Sequence, residues 1–465
     1  MNHSALIRIV ISALALLAAP HQINAAPPPN IILIVADDLG YHDLGSYGNR
    51  NVKTPHLDQL ARDGVRATSF YVTWPACTPS RGSILTGRYP QRNGLYDMIR
   101  NDAVDYGHRY TAAEYAISPE MTLGLDLREV TFADVLKKRG YTCGVVGKWD
   151  SGRARRFLPL QRGFDFFYGF ANTGIDYWTH ERYGVPSMFR GNARTEEDKS
   201  RYATDIFKRE ASKFIRNNKQ HPFLLYLPFN APHSASNLEK DSYQVPEKYL
   251  REYPAVEATD SRAVRRTKYG AMVTCLDAAI GEILEELKKS GLEDNTLVMF
   301  LSDNGAGGAG DNKPLRGGKT QMWEGGVRVP FIARWPGKIP PNTVTDEFLT
   351  SLELFPTMIS AAGTEAPRNV KLDGFDMLPV LQGKAKSERA EMFWERRETR
   401  AARVENWKWV QAGGREELFD LSTDVSEKRD LSKELPEVLA RMKSRFTNWK
   451  SEMDRSEPRG PFRNY

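Results

Sequence analysis

Residues 31–40 read IILIVADDLG. An unbroken apolar run ending in Asp37, Asp38 and Gly40 describes a strand buried on both faces. Acids at the carboxyl end of such a strand lie where open α/β sheets bind ligands. A second run has the same form: 296–301, followed by Ser302, Asp303, Asn304 and Gly305. Working outward, the spacing predicts helices over 55–63, 77–85, 131–139, 203–217 and 264–289. It predicts further strands over 141–146 and 223–227. Strands alternating with helices predict an α/β fold with a largely parallel sheet covered on both faces. After about residue 375 the pattern changes. Residues 390–394 and 407–410 read as strands of an antiparallel unit, and 435–449 as a closing amphipathic helix. The expected organisation is a signal peptide at 1–25, a main domain at 26–375 and a small α+β subdomain at 376–465.

Composition sets wide limits. Of the 465 residues, 40% are hydrophobic and 27% charged, which fits a globular protein and excludes a disordered or low-complexity chain. The net charge of +6 is small and its signs are mixed, against a nucleic-acid partner and compatible with an anionic substrate. Residues 1–8 are basic, 9–19 apolar, and Pro20 and Ala25 follow. This is the form of an export signal, and its apolar core is too short to span a bilayer. No other run is long and apolar enough to cross a membrane. The expected location is periplasmic or secreted.

There are three cysteines, so one at least lacks a partner within the chain. Cys143 and Cys275 fall in core-like patterns. Cys77 instead lies among Pro, Thr, Ser and Gly just before a predicted helix. The main constellation is Asp37, Asp38, Asp303 and Asn304, two polar pairs at the ends of two buried strands. An oxygen-rich, sulfur-free donor set favours Ca²⁺ or Mg²⁺. Residue types alone leave open whether these acids hold a metal or simply cap helices and turns.

The segment from Cys77 to Arg88, CTPSRGSILTGR, resembles the signature of the type I sulfatases. The resemblance continues through PNIILIVADDLG, GKW at 147–149, RGFDFFYGF at 162–170, YLPFNAPH at 226–233, SDNG at 302–305 and LRGGK at 315–319. It runs on to LFDL at 418–421, covering essentially 29–435. It implies an alkaline-phosphatase-like fold: a large mixed, mostly parallel sheet flanked by helices, with a small C-terminal antiparallel sheet plus helix. It implies that Cys77 is oxidised to formylglycine by a formylglycine-generating or anaerobic sulfatase-maturating enzyme. The hydrated aldehyde then attacks sulfur, the alcohol leaves, and the resulting hemiacetal expels sulfate by itself. In this scheme Asp37, Asp38, Asp303 and Asn304 hold Ca²⁺, with modified Cys77 and a sulfate oxygen beside it. Arg81 stabilises the hydrated residue, Lys148 and Lys319 contact sulfate or the bridging oxygen, and His233 donates to the leaving group.

One position departs from the family. Gly147-Lys148-Trp149 is followed by Asp150, where the common pattern has histidine. Aspartate can accept a hydroxyl proton but cannot donate one when ionised. The expected roles for Asp150 are base or positioning group.

For the alcohol part, residues 174–182, GIDYWTHER, and the run Asn312 to Arg316 resemble stretches of N-acetylgalactosamine-4-sulfatases. Candidate substrate contacts are Asp176, Tyr177, Trp178, His180, Arg182, Asn312, Lys313 and Arg316. The expected substrate is a sulfated carbohydrate with galactose- or N-acetylgalactosamine-type units, such as chondroitin, dermatan or carrageenan, with O4 slightly favoured. Two alternatives stand beside it: a phosphodiesterase or phosphonate hydrolase of the same superfamily, and a non-catalytic sulfated-glycan-binding protein. With eight histidines, of which only His233 lies in a site-like context, a two-zinc centre is disfavoured.

Overall fold

The computed structural model describes residues 27–100, 111–457 and 459. The expected signal peptide lies outside the described residues. Among those described, no helix is long and apolar enough to cross a membrane.

The strand Asn30–Ala36 lies inside a ten-stranded sheet, flanked by Phe223–Pro228 and Thr296–Ser302. Both pairings are parallel, as are those that continue outward through Thr142–Lys148 to Phe166–Phe170. The unbroken apolar run has a direct cause. Ile31, Leu33 and Val35 enter the core on one face, while Ile32, Ile34 and Ala36 enter the core on the other. Helices Pro55–Arg62, Ala203–Asn217 and Ser261–Lys289 cover one face, and Cys77–Thr86, Phe132–Lys138 and Leu354–Ala361 the other. In Ala203–Asn217 the buried positions Ala203, Phe207, Glu210, Ala211 and Phe214 repeat at helical spacing, so one side docks on the sheet. Thr131 and Asp134 close the helix Phe132–Lys138 with a reciprocal capping box.

The sheet edges were not read from sequence. Short strands Val65–Ala67, Phe331–Arg334 and Thr343–Thr345 extend one side, with antiparallel pairing at Phe331–Arg334. Strands of three or four residues carry too little periodicity to detect. The long helix begins at Ser261 rather than 264, because the Asp260 side chain accepts the Arg262 and Ala263 backbone N–H groups.

The C-terminal part forms a four-stranded antiparallel sheet, Glu391–Arg396, Thr399–Val404, Trp407–Ala412 and Arg415–Asp420. Two of these strands were expected; the charged strands TRAARV and REELFD hid the others. The helix Pro436–Arg455 seats Met442, Phe446, Trp449 and Met453 against Phe393 and Trp409. It outruns the expected end at 449 because Met453 adds another buried turn. This is the alkaline-phosphatase-like architecture that the resemblance implied.

A buried ion pair ties the small sheet to the short helix Glu324–Val327, which precedes the strand Phe331–Arg334 of the large sheet. Lys408 Nζ donates to Glu324 Oε1 at 2.9 Å, and both side chains are fully buried. Burial would raise the Glu324 carboxyl, but Lys408, Arg328 and Arg403 outweigh it and hold it at about 2. Lys408→Met is expected to destabilise the protein by about 3–5 kcal/mol, because one buried charge loses its closest partner. The folded pKa lies below the ordinary value of 4.5. The contribution is therefore complete above that value and lost as pH falls toward about 2. Urea melts of wild type and variant at descending pH check both magnitude and sign.

Candidate active site

Parallel register brings the two acidic pairs together. Ala36 lies opposite Ser302, so Asp37 and Asp303 leave adjacent strands at the same level. The chain then turns sharply: Asp38 takes a left-handed backbone conformation with φ 62°. The Asp38 backbone N–H donates to Asp303 Oδ1 at 3.2 Å, and Leu39 N–H to Ser302 Oγ at 2.9 Å. Asn304 Nδ2 donates to Asp38 Oδ1 at 2.7 Å.

Cys77 is the first residue of the ten-residue helix Cys77–Thr86, all of it buried. Its Sγ lies 3.2 Å from Asp37 Oδ1 and 4.0 Å from Asp38 Oδ1. Arg81, four residues on, shares that helix face. Its Nε donates to Asp303 Oδ2 at 2.9 Å, and its Nη2 stands 3.6 Å from Asp37 Oδ1. Burial first, then Asp37, push the Cys77 thiol up, so the unmodified residue is a poor thiolate nucleophile here.

Lys148 ends the strand Thr142–Lys148 and donates to Asp37 Oδ2 at 2.7 Å. Gly147 permits this approach: its φ is 123°, and a Cβ there would meet the Pro228 carbonyl at 1.9 Å. Lys319 reaches in from the 305–319 loop and donates to Asp38 Oδ2 at 2.7 Å. Thr320 N–H, bonded to Pro75 O at 2.7 Å, fastens that loop to the segment before Cys77.

Asp150 is buried, with φ 48°. Its Oδ1 accepts the Thr78 hydroxyl at 2.8 Å; Oδ2 stands 3.6 Å from Lys148 Nζ and has no hydrogen-bond partner. Burial is the main reason its carboxyl is pushed up. The side chain thus has one oxygen fixed and one without a hydrogen-bond partner.

His233 follows the strand Phe223–Pro228, its Nε2 3.7 Å from Asp38 Oδ2. Its Nδ1 donates to the Ser234 carbonyl at 2.6 Å, which leaves Nε2 as an acceptor on the neutral ring. Burial, then Lys319, push the imidazole down to about 3. In this arrangement Nε2 offers a lone pair toward Asp38 and the site.

The donor set fits a hard cation. Asp37, Asp38, Cys77 and His233 have possible ligand atoms all within 4.8 Å of one another. Beside them Asn304 Oδ1 is buried and without a hydrogen-bond partner, an orphan acceptor that a cation would satisfy. Two carboxylates of that group, with the Asn304 amide oxygen beside them and Asp303 on the neighbouring strand end, match Ca²⁺ or Mg²⁺.

The expected sugar contacts divide. Tyr177 is fully buried, stacks on Tyr202, and donates to the Asn230 and His233 carbonyls. It shapes the His233 loop and presents no face to a sugar. Asp176 accepts from Trp178 and Thr179 N–H and from Asn237 and Gln244. His180 Nε2 is 2.8 Å from the Arg201 carbonyl, and Arg182 is buried against Glu120 and Thr173. Asn312 braces its own loop through Ala306 and Gly317. Arg316 pairs with Glu417 of the C-terminal sheet and lies over Trp323. Each of these six is held by partners within the protein, which family-like spacing could not show. Trp178 and Lys313 remain exposed. The sequence reading passed over Ser302, Thr78 and Tyr269, whose hydroxyl donates to Asp43 Oδ2 at 2.5 Å and to the Asp38 carbonyl at 3.2 Å. Ser302 and Thr78 adjoin recognised residues; nothing local marks Tyr269.

A family model described as Sulfatase matches residues 29–364, and one described as N-sulphoglucosamine sulphohydrolase, C-terminal, matches 318–452. Human N-acetylgalactosamine-6-sulfatase is 34% identical over 383 residues, 78% of this chain and 67% of that protein. Human arylsulfatase A is 36% identical over 394 residues, 82% of this chain and 73% of its own. Among solved structures, Ps i-CgsB in complex with k-i-k-neocarrahexaose has a TM-score of 0.80 at 30% identity, covering 91% of this chain and 92% of its own. A phosphonate monoester hydrolase of Agrobacterium radiobacter, with a TM-score of 0.63 at 20% identity, shares the fold alone. With its signature cysteine set among strand-end acids, one buried lysine and one half-buried lysine, and with relatives matched over most of its length, the chain belongs to the formylglycine-dependent sulfatase family of sulfuric ester hydrolases.

Proposed function

We propose that this sulfatase removes sulfate from galactose- or N-acetylgalactosamine-type units of a sulfated glycan, with formylglycine at position 77 and Ca²⁺ as its resident metal. The observation that carries the reading is the position of residue 77: at a buried helix start, 3.2 Å from Asp37, with Arg81, Lys148 and Lys319 on the surrounding acids. Hydrated formylglycine supplies a nucleophilic oxygen and a second hydroxyl whose loss of a proton releases sulfate. Asp37, Asp38, Asp303 and Asn304 would hold Ca²⁺, which lowers the cost of gathering anions at one point.

The chain's own residues do the rest. Arg81 holds Asp303 and faces Asp37, keeping both aimed at residue 77. Lys148 and Lys319 place two ammonium groups where sulfate oxygens must sit. Lys319, less enclosed than Lys148, is the better placed to protonate the leaving alcohol. His233 accepts at Nε2 and orients the alcohol. Asp150 takes the proton of the second hydroxyl on its open oxygen, and Thr78 fixes the other. Asp150→Asn should therefore lower kcat about 10²–10³-fold. Stopped-flow should show one equivalent of alcohol released before turnover stalls. Full turnover in the variant would remove Asp150 from proton transfer.

The glycan assignment is supported by two kinds of similar protein: N-acetylgalactosamine-6-sulfatases and a structure in complex with k-i-k-neocarrahexaose. The 6-sulfatases among them support O6 as a candidate position beside O4. The test is a panel of singly sulfated sugars, with peptide mass spectrometry of residue 77. The expected peptide is lighter by the exchange of SH and H for a carbonyl oxygen. Sulfate release from galacto-configured sugars over gluco-configured ones supports the reading. Release from glucosamine or aryl sulfates alone defeats it.

A further inference from the structure

The amino end of the helix Ser261–Lys289 carries Arg262, Arg265 and Arg266. Spacings of three and four residues put them on one helix face. That placement is locally unfavourable in two ways. Like charges at these spacings repel, and cations oppose the positive end of a helix. The neighbouring acids do not relieve it. Asp260 directs its carboxylate to the Arg262 and Ala263 backbone N–H groups, and Asp241 pairs with Lys268 at 3.1 Å. Among the described residues no carboxylate forms an ion pair with any of the three arginines.

Their side chains line a cavity of about 320 Å³, with Ser234, Ser242 and Tyr243 on the other walls. Two walls are parts of the catalytic loops. Ser234 follows His233 and accepts its Nδ1–H through the backbone carbonyl. The Tyr243 hydroxyl accepts the Ala309 N–H at 3.1 Å, in the loop that runs from Asn304 to Lys319. The cavity thus adjoins the loops that carry His233 and Lys319, the residues assigned to the leaving alcohol.

We propose that this cavity is a second anion subsite, in which Arg262, Arg265 and Arg266 take a sulfate or carboxylate on the sugar adjoining the one that is desulfated. The inference rests on the glycan reading of the site. Guanidinium groups bind both anions through paired N–H donors. Three of them left without carboxylate partners form a receptor whose local cost is offset when the anion arrives. The subsite makes the enzyme select a densely charged glycan over an isolated sulfated sugar.

The test uses full-length protein with Arg262→Gln, Arg265→Gln and Arg266→Gln combined, beside the unaltered arginines, both in a Cys77→Ala background so that binding is read without turnover. Three saccharides serve as probes: a singly sulfated disaccharide, the same with a second sulfate on the neighbouring sugar, and the same with a uronate neighbour. With the arginines present, calorimetry should show about tenfold tighter binding of at least one doubly charged probe. The two arms show whether sulfate or carboxylate is preferred. The triple variant should lose the preference, to within about twofold. Its thermal midpoint should hold or rise, because helix-end repulsion is relieved, so misfolding is separable. Equal binding of all three probes by protein with its arginines, or a preference that survives in the triple variant, overturns the subsite and leaves the glycan assignment standing. No binding of any sugar, with aryl sulfate still cleaved by Cys77 protein, overturns both.

Discussion

Cys77→Ala should lower sulfate release by at least about 10⁴-fold while leaving the affinity for a sulfated sugar within a few-fold. The geometry explains the split. Residue 77 supplies the attacking oxygen and the means of expelling sulfate, and alanine supplies neither. The groups that attract the anion come from other elements: Arg81 from the next helical turn, Lys148 from a strand end and Lys319 from a loop. Replacing residue 77 by alanine at the helix start removes the aldehyde chemistry and leaves those charges in place. Initial rates on a sulfated sugar, with calorimetric binding to the same protein, check the two halves. A variant with a tenth of wild-type turnover or more would move the nucleophile elsewhere, and with it the phosphohydrolase alternative would gain ground.

Asp303→Asn should cost at least about 10³-fold in kcat/KM and abolish the stabilisation by added Ca²⁺. Asp303 has two duties. It lies with Asp37, Asp38 and Asn304 where a hard cation would sit, and it holds the Arg81 guanidinium at 2.7 Å. Asparagine keeps the shape and removes the charge, so the metal loses one anionic ligand and Arg81 one buried partner. The second loss destabilises the fold even without metal, by about 3–5 kcal/mol. Two measurements separate the duties. Thermal midpoints of chelator-treated protein report the Arg81 term. The rise in midpoint on titrating Ca²⁺ should be clear in wild type and absent in the variant. Unchanged Ca²⁺ response in the variant would remove Asp303 from the metal site.

Much of this was legible because the decisive residues lie in local patterns. The run 31–36 has no polar face since both faces are core, and that alone identifies a central strand with acids at its end. Cys77 and Arg81 stand one helical turn apart, so their shared face is a consequence of spacing. The acids at 37 and 303 each show as a strand end, while their convergence comes from the parallel pairing in register of the two strands.

Other features depend on residues far apart in the chain. Tyr177 reads as an aromatic in a polar loop, and nothing nearby shows that Tyr202 and two carbonyls enclose it. Arg316 reads as a free cation, and its partner Glu417 is about a hundred residues on. His233 stands out in its sequence context, but only the fold shows the Ser234 carbonyl holding its Nδ1–H. Asp150 departs from the family pattern in sequence, but only packing shows one oxygen held by Thr78 and the other open.

The division has a physical cause. Backbone periodicity and strand-end chemistry are encoded within a few residues, so the sequence by itself determined the α/β class, the acidic pairs and the reactive cysteine. Burial and the partner of each charge are set by elements that meet only on folding. Tertiary structure alone therefore decided which polar residues pack and which act. It also gathered the unpaired arginines of residues 262–266 beside the catalytic loops.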